Sequence, residues 1–293
     1  MLQWLEHLRS PFTDAFFTGA TFLGSEVAYM VLLTVIYLCV GHRYGFHLFV
    51  VFLTSAFLNG AVKLVAHTPR PFVAFPDQLH PMCLGTATGD SFPSGHAQNA
   101  TVVWGLMAIR ASRWSTRLAC LLLILLIGFS RLYLQVHWPA DVVGGMAIGG
   151  LVLLGYLIIA GGWGLAGAKW TPRVWIFVIC VGSLVAGFLG REVDVCVLAA
   201  GSFLGSAVGY VLLEARGGYD PRASLPVQVL KFVLAFSALM VIRFGVKMLL
   251  GDSAPADFLR YALIGFTCAF LLPTLFTALR KRKEAASSTE ATS

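Results

Sequence analysis

The chain has 293 residues, of which 58% are hydrophobic and only 12% charged, with a formal net charge of +7. Soluble domains carry about 25% charged residues, so too little polar sequence is present to coat a water-soluble fold. The cations are dispersed: Arg110, Arg113 and Arg117 fall between two apolar runs, and Arg280, Lys281, Arg282 and Lys283 follow the last one. That is the pattern of membrane orientation, not of a nucleic-acid groove.

In chain order, residues 1–25 mix Trp4, Leu5, Leu8, Phe12, Phe16 and Phe17 with Glu6 and Asp14. This composition suits a segment lying at the membrane surface or a short re-entrant one, and it lacks the basic leader and apolar core of a cleavable signal. Nine spans are then expected, at about 27–41, 46–66, 95–111, 117–136, 140–163, 173–190, 194–214, 226–250 and 257–279. The expected fold class is therefore all-α, a polytopic transmembrane helical bundle. A six-helix core would occupy 26–190, additional C-terminal transmembrane helices 191–280, and a disordered cytoplasmic tail rich in Ser, Thr, Ala and Glu 281–293. Gly201, Gly205 and Gly209 form a small-residue ridge suited to close helix packing within the chain.

Loop charges assign the faces. His42 and Arg43, Arg110 to Arg117, Lys169 and Arg173, Arg216 and Arg222, and the basic tail all alternate onto one side, which is expected to be cytoplasmic. The opposite side receives the Pro-rich segment 67–93 and the turn at His137. The expected location is a bacterial inner (plasma) membrane, with the C-terminus cytoplasmic and the site extracytoplasmic. The cysteines Cys39, Cys120, Cys180, Cys196 and Cys268 lie in or beside apolar runs and only Cys83 is clearly in a loop, so neither a disulfide framework nor a paired metal site is implied.

On the outer side, three segments carry polar groups where such groups are costly. Lys63, Arg70 and Arg131 supply cations, two of them guanidinium forks suited to phosphate oxygens. Ser94 and Gly95 stand where a loop becomes a helix, a place that offers free N–H donors to an anion. His137 and Asp141 are four residues apart, so one helical turn can bring the carboxylate to the imidazole and leave the other ring nitrogen as a nucleophile. His96, from another span, is available as a general acid. Each residue alone has a plainer reading, as a snorkelling cation, a cap or an interfacial histidine. Their convergence on one face has none.

These residues closely resemble the three-part signature of the type 2 phosphatidic acid phosphatase superfamily. The first part is Lys63 with Arg70 and Pro71, the second Pro93-Ser94-Gly95-His96, and the third Ser130-Arg131 with His137 and Asp141. The resemblance implies a helical membrane enzyme that needs no metal or other cofactor and passes through a phosphohistidine. It casts His137 as nucleophile, Asp141 as its partner and His96 as acid, with Lys63, Arg70, Ser94, Gly95 and Arg131 binding phosphate. The layout of nine spans is similar to that of glucose-6-phosphatases, and the extra C-terminal spans are similar to those of sphingosine-phosphate phosphatases. Vanadium haloperoxidases share such a site, but the hydrophobicity here argues against their soluble domains.

The leading expectation is hydrolysis of a lipid phosphate or a polyprenyl diphosphate such as undecaprenyl diphosphate, with membrane lipids as surroundings and no nucleic-acid partner. A phosphotransferase and a soluble sugar-phosphate phosphatase remain as alternatives. A lipid transporter is the alternative from another class, though transporters hold ligands near the bilayer midplane in broken spans.

Overall fold

In the computed structural model, residues 2–162, 183, 187 and 194–290 are described. The span expected at 173–190 and the loop cations Lys169 and Arg173 lie outside the described residues, apart from Ser183 and Gly187. A 3-10 turn over Gln3–Leu8 precedes α1 (Pro11–Phe22) and α2 (Glu26–Val35), the latter extended by a π-turn over Ile36–Val40. Then come α3 (His42–Ala66), the short α4 (Pro71–Ala74), α5 (Gly95–Arg110), α6 (Trp114–Tyr133) and α7 (Pro139–Gly162). The C-terminal part holds α8 (Asp194–Ala215), α9 (Leu225–Leu250), α10 (Ala254–Phe266), a π-turn over Thr267–Leu271, and α11 (Leu272–Glu290).

Six stretches among the described residues are long and apolar enough to cross a membrane, or seven if α1 and α2, bent by 55° at their junction, form one broken span. The chain is an integral membrane protein of helices. The segment expected to span at 95–111 forms a helix of only 16 residues, Gly95–Arg110. That is about 24 Å of helix, shorter than a hydrocarbon core of about 30 Å.

The chain divides into two compact units, Met1–Met30 with Thr54–Ala168 and Val31–Leu53 with Lys169–Ser293. The division thus runs through α2 and α3, not only near the expected boundary at residue 191. The second unit's core explains why: Tyr37 and Leu38 pack with Leu213, Tyr219, Ala269, Phe270 and Phe276. Tyr37 also donates a 2.9 Å hydrogen bond to the carbonyl of Ala269. The glycine ridge behaves as expected. A Cβ at Gly201 would lie 2.4 Å from the carbonyl oxygen of Phe258, and one at Gly209 would lie 3.0 Å from Ala269 Cβ. Only glycine lets α8 and α10 approach so closely.

One expectation is corrected. The segment 281–290, read as the start of a disordered tail, continues α11 to Glu290. Lys281, Arg282, Lys283, Glu284, Ala285 and Ala286 are all strong helix formers, and they extend an already nucleated helix at little cost.

In the first unit, local chemistry sets the element ends that matter to the site. Ser10 caps α1: its hydroxyl accepts from the Thr13 N–H at 3.2 Å, while its own N–H donates to Thr13 Oγ1 at 2.9 Å. Pro11 and Pro139 open α1 and α7, where a missing N–H costs nothing. Close approach of α7 to α5 again depends on glycine. A Cβ at Gly145 would stand 2.6 Å from the carbonyl oxygen of Ser94, and one at Gly149 would stand 2.7 Å from that of Gln98. This contact brings the start of α7 beside the start of α5.

Candidate active site

The signature residues come from the ends of five helices, all at positions within the first unit. Lys63 lies in the last turn of α3, and Arg70 immediately precedes α4. Ser94 is the residue before α5, Gly95 and His96 are its first two residues, and Arg131 is in the last turn of α6. Between α6 and α7 the chain turns sharply through Gln135, whose φ of +57° is the left-handed conformation. His137 follows that turn, and Asp141 lies in the first turn of α7. The turn is held by its side chain: buried Gln135 donates to the Leu2 carbonyl at 3.0 Å and accepts from the His80 N–H at 2.9 Å.

His137 is 2% exposed and sits between a cation and an anion. Its Nε2 lies 3.2 Å from Arg70 Nη1, and its Nδ1 lies 3.4 Å from Asp141 Oδ2, a long contact. A guanidinium only donates, so Nε2 must accept and the ring proton belongs on Nδ1, toward the carboxylate. Burial pushes the imidazole pKa down to about 4, with Arg131 and Arg70 adding to the effect and the bond to Asp141 opposing it. Near neutral pH the ring is therefore uncharged, with the Nε2 lone pair exposed to the guanidinium. Asp141 Oδ2 is fixed by the Ser91 hydroxyl at 2.5 Å and the Trp138 N–H at 2.8 Å. The Asp141 carbonyl accepts from the Ser94 N–H at 3.0 Å, which ties α7 to the start of α5.

All three cations are engaged by one loop. Arg70 Nε donates to the Gly89 carbonyl at 2.8 Å, and Nη2 donates to those of Thr88 at 2.7 Å and Asp90 at 3.4 Å. Its Nη1 also reaches the Val136 carbonyl at 2.9 Å. Lys63 Nζ donates to the Asp90 carbonyl. Arg131 Nη1 donates to Thr21 Oγ1 at 2.5 Å and Thr86 Oγ1 at 3.0 Å, and Nη2 donates to the Thr86 carbonyl at 3.1 Å. Three signature atoms are buried without a hydrogen-bond partner: Ser94 Oγ, His96 Nε2 and Arg131 Nε. Unpaired polar atoms are expensive in a dry interior, and all three can donate to an anion. Gly95 faces Asn59, whose Oδ1 would stand 3.2 Å from a Cβ there.

The same stretch matches the family model described as PAP2 superfamily over residues 44–165, and a second model, PAP2 superfamily phosphatase, transmembrane extension, matches 197–284. The chain belongs to the PAP2 superfamily. Among relatives of this PAP2 protein, phosphatidylglycerophosphatase B of Bacillus subtilis is 28% identical over 166 residues, covering 52% of this chain and 76% of the relative. An undecaprenyl-diphosphatase of the same organism is 33% identical over 100 residues, covering 34% of this chain and 48% of the relative. The chain thus spans three quarters of the first and about half of the second. A crystal structure of a transmembrane PAP2 type phosphatidylglycerolphosphate phosphatase from Bacillus subtilis aligns with a TM-score of 0.45 at 24% identity, over 58% of this chain and 85% of that one.

In this PAP2 protein, Arg70, His137, Asp141 and the Ser94 backbone form one bonded chain, and Lys63 joins it through Asp90. Arg131 enters through Thr86, on the same loop. No hydrogen bond joins His96 to the others. Three contributors escaped the sequence reading: Ser91, Thr86 and Thr21. Ser91 alone had a signal there, as a small polar residue three positions before Ser94. The His67 side chain is exposed, with its Nδ1 3.7 Å from Asp90 Oδ2.

Proposed function

We propose that this PAP2 chain is a phosphatase that hydrolyses a lipid phosphate or a polyprenyl diphosphate at the outer membrane face. The observation that carries the reading is His137, whose Nε2 faces Arg70 at 3.2 Å while Nδ1 faces Asp141. In this reading the Nε2 lone pair attacks phosphorus and forms a P–N bond as the bond from phosphorus to the leaving oxygen breaks. His96 gives its proton to that oxygen. Asp141 stabilises the imidazolium that results, with Ser91 and the Trp138 N–H holding its carboxylate in place. Water, deprotonated by His96, then attacks phosphorus, the P–N bond breaks, and phosphate and neutral His137 are restored. Lys63, Arg70, Arg131, Ser94 and the N–H groups at Gly95 hold the equatorial oxygens through both steps.

A lipid substrate is supported by the membrane-embedded helices and by relatives named for lipid phosphates and diphosphates. The outer face is supported by the alternation of basic loops. Purified protein in detergent with chelator present should release phosphate from a phosphorylated lipid. Vanadate should inhibit, His137→Ala should abolish release, and an alkali-stable, acid-labile phosphoprotein should be trapped on rapid mixing. Full turnover by His137→Ala would overturn the mechanism. Cysteine labelling at position 77 from the cytoplasmic side only would overturn the orientation.

A further inference from the structure

We infer that Thr21, on the N-terminal helix outside the 44–165 family match, is a positioning residue that orients Arg131 toward the phosphate. This rests on the phosphatase reading above. Helix α1 buries only Ala20 and Thr21. Thr21 is 2% exposed, and its Oγ1 accepts from Arg131 Nη1 at 2.5 Å. Thr86 accepts from the same nitrogen through Oγ1 and from Nη2 through its carbonyl, at 3.0 and 3.1 Å. A guanidinium is planar and rigid, so two anchored Nη groups fix where Nε–H points. That Nε is buried and unpartnered.

Helix α1 ends one residue after Thr21, at Phe22, and the turn that follows is built against the site. A Cβ at Gly24 would lie 2.6 Å from Ile127 Cγ2 and 3.0 Å from His96 Cδ2. The turn that follows the threonine's helix therefore passes along the His96 ring. A separate tether holds α1 on α6 without touching Arg131. The Tyr133 hydroxyl bonds Asp14 at 2.6 Å and Thr13 at 2.9 Å, and Phe17 stacks on its ring at 4.2 Å. Anchoring of α1 and orientation of Arg131 are thus separable.

Three variants test this, read by kcat, KM and the vanadate inhibition constant. Thr21→Val keeps the shape but removes the acceptor, and kcat/KM should fall about tenfold, with vanadate inhibition weakened in proportion. Thr21→Ser keeps the acceptor and should recover most of that loss. Tyr133→Phe loosens the tether, so it should lower thermal stability while vanadate inhibition stays within about twofold. Thr21→Ala serves in place of Thr21→Val if the latter does not fold. Wild-type vanadate inhibition in Thr21→Val or Thr21→Ala, or equal weakening in Tyr133→Phe, overturns the inference. Should His137→Ala be inactive and the threonine variants remain wild type, only this inference falls. Should His137→Ala turn over normally, the phosphatase reading falls first.

Discussion

Ser91 and His137 meet the same oxygen atom of Asp141: the serine hydroxyl donates to Oδ2 at 2.5 Å and the imidazole Nδ1 lies 3.4 Å from it. The carboxylate is therefore held chiefly by Ser91 and the Trp138 N–H, and the histidine orients against a group that is already fixed.

Removing that hydroxyl tests the arrangement. Ser91→Ala should lower kcat/KM by about tenfold, since a buried hydrogen bond to a charged group contributes about 1.5–3 kcal/mol, and the imidazole would lose its fixed reference. Asp141→Asn should cost more, about 10³ in kcat, because an amide N–H facing Nδ1 favours the tautomer with the proton on Nε2. Steady-state phosphate release from both variants decides the matter, and near-wild-type kcat in Asp141→Asn would contradict the tautomer assigned here.

The depressed imidazole has a measurable signature in pH. In the proposed mechanism, protonation of His137 removes the attacking lone pair, so its acid limb in kcat/KM should fall at about pH 4 instead of near the ordinary value of about 6.5. The sign for stability is the same. Below about pH 6.5 the unfolded chain takes up a proton that the folded site refuses until about pH 4, so folding weakens across that window. A pH profile of kcat/KM, corrected for the substrate's own ionisation, should show no inflection near 6.5 from the enzyme.

Arg70 is 5% exposed and donates to four carbonyl oxygens. Arg70→Lys cannot reproduce that fan, and it leaves buried acceptors unpaired. Stability toward denaturing detergent should drop by about 2–4 kcal/mol, and vanadate inhibition should weaken by about a hundredfold. A Lys variant with unchanged stability would show that the loop 86–90 is held by other means.

Glycines of α7 give a paired test. A Cβ at Gly145 would collide with the Ser94 carbonyl at 2.6 Å, whereas one at Gly150 meets nothing within 4 Å. Gly145→Ala should push α7 from α5, displace Asp141 from Ser94 and lower kcat by about tenfold or more. Gly150→Ala should match wild type in both activity and thermal stability.

Much of the site was legible in the sequence because its parts are spaced by helix geometry. The four-residue interval between His137 and Asp141, and the run Ser94-Gly95-His96 before an apolar stretch, both announce helix starts. Thr21 and Thr86 were not legible. Each acts by accepting a bond from Arg131, across 110 and 45 residues of chain respectively, and no local pattern encodes such a pairing. The helical bundle followed directly from hydrophobicity. The division through α2 and α3 did not, since it depends on which aromatic partners Tyr37 finds, among them Tyr219 and Phe270.

The loop 86–90 gives the cations of the site a resting load. Lys63, Arg70 and Arg131 are never bare, because backbone oxygens of the chain already neutralise part of their field. An anion entering there must therefore compete with the protein for the Lys63, Arg70 and Arg131 donors already engaged, and gains outright only the bonds to the unpartnered Ser94 Oγ, His96 Nε2 and Arg131 Nε. Such an exchange would keep weakly basic anions such as chloride from lodging, and would return a detached phosphate to water without a deep energy well to climb from.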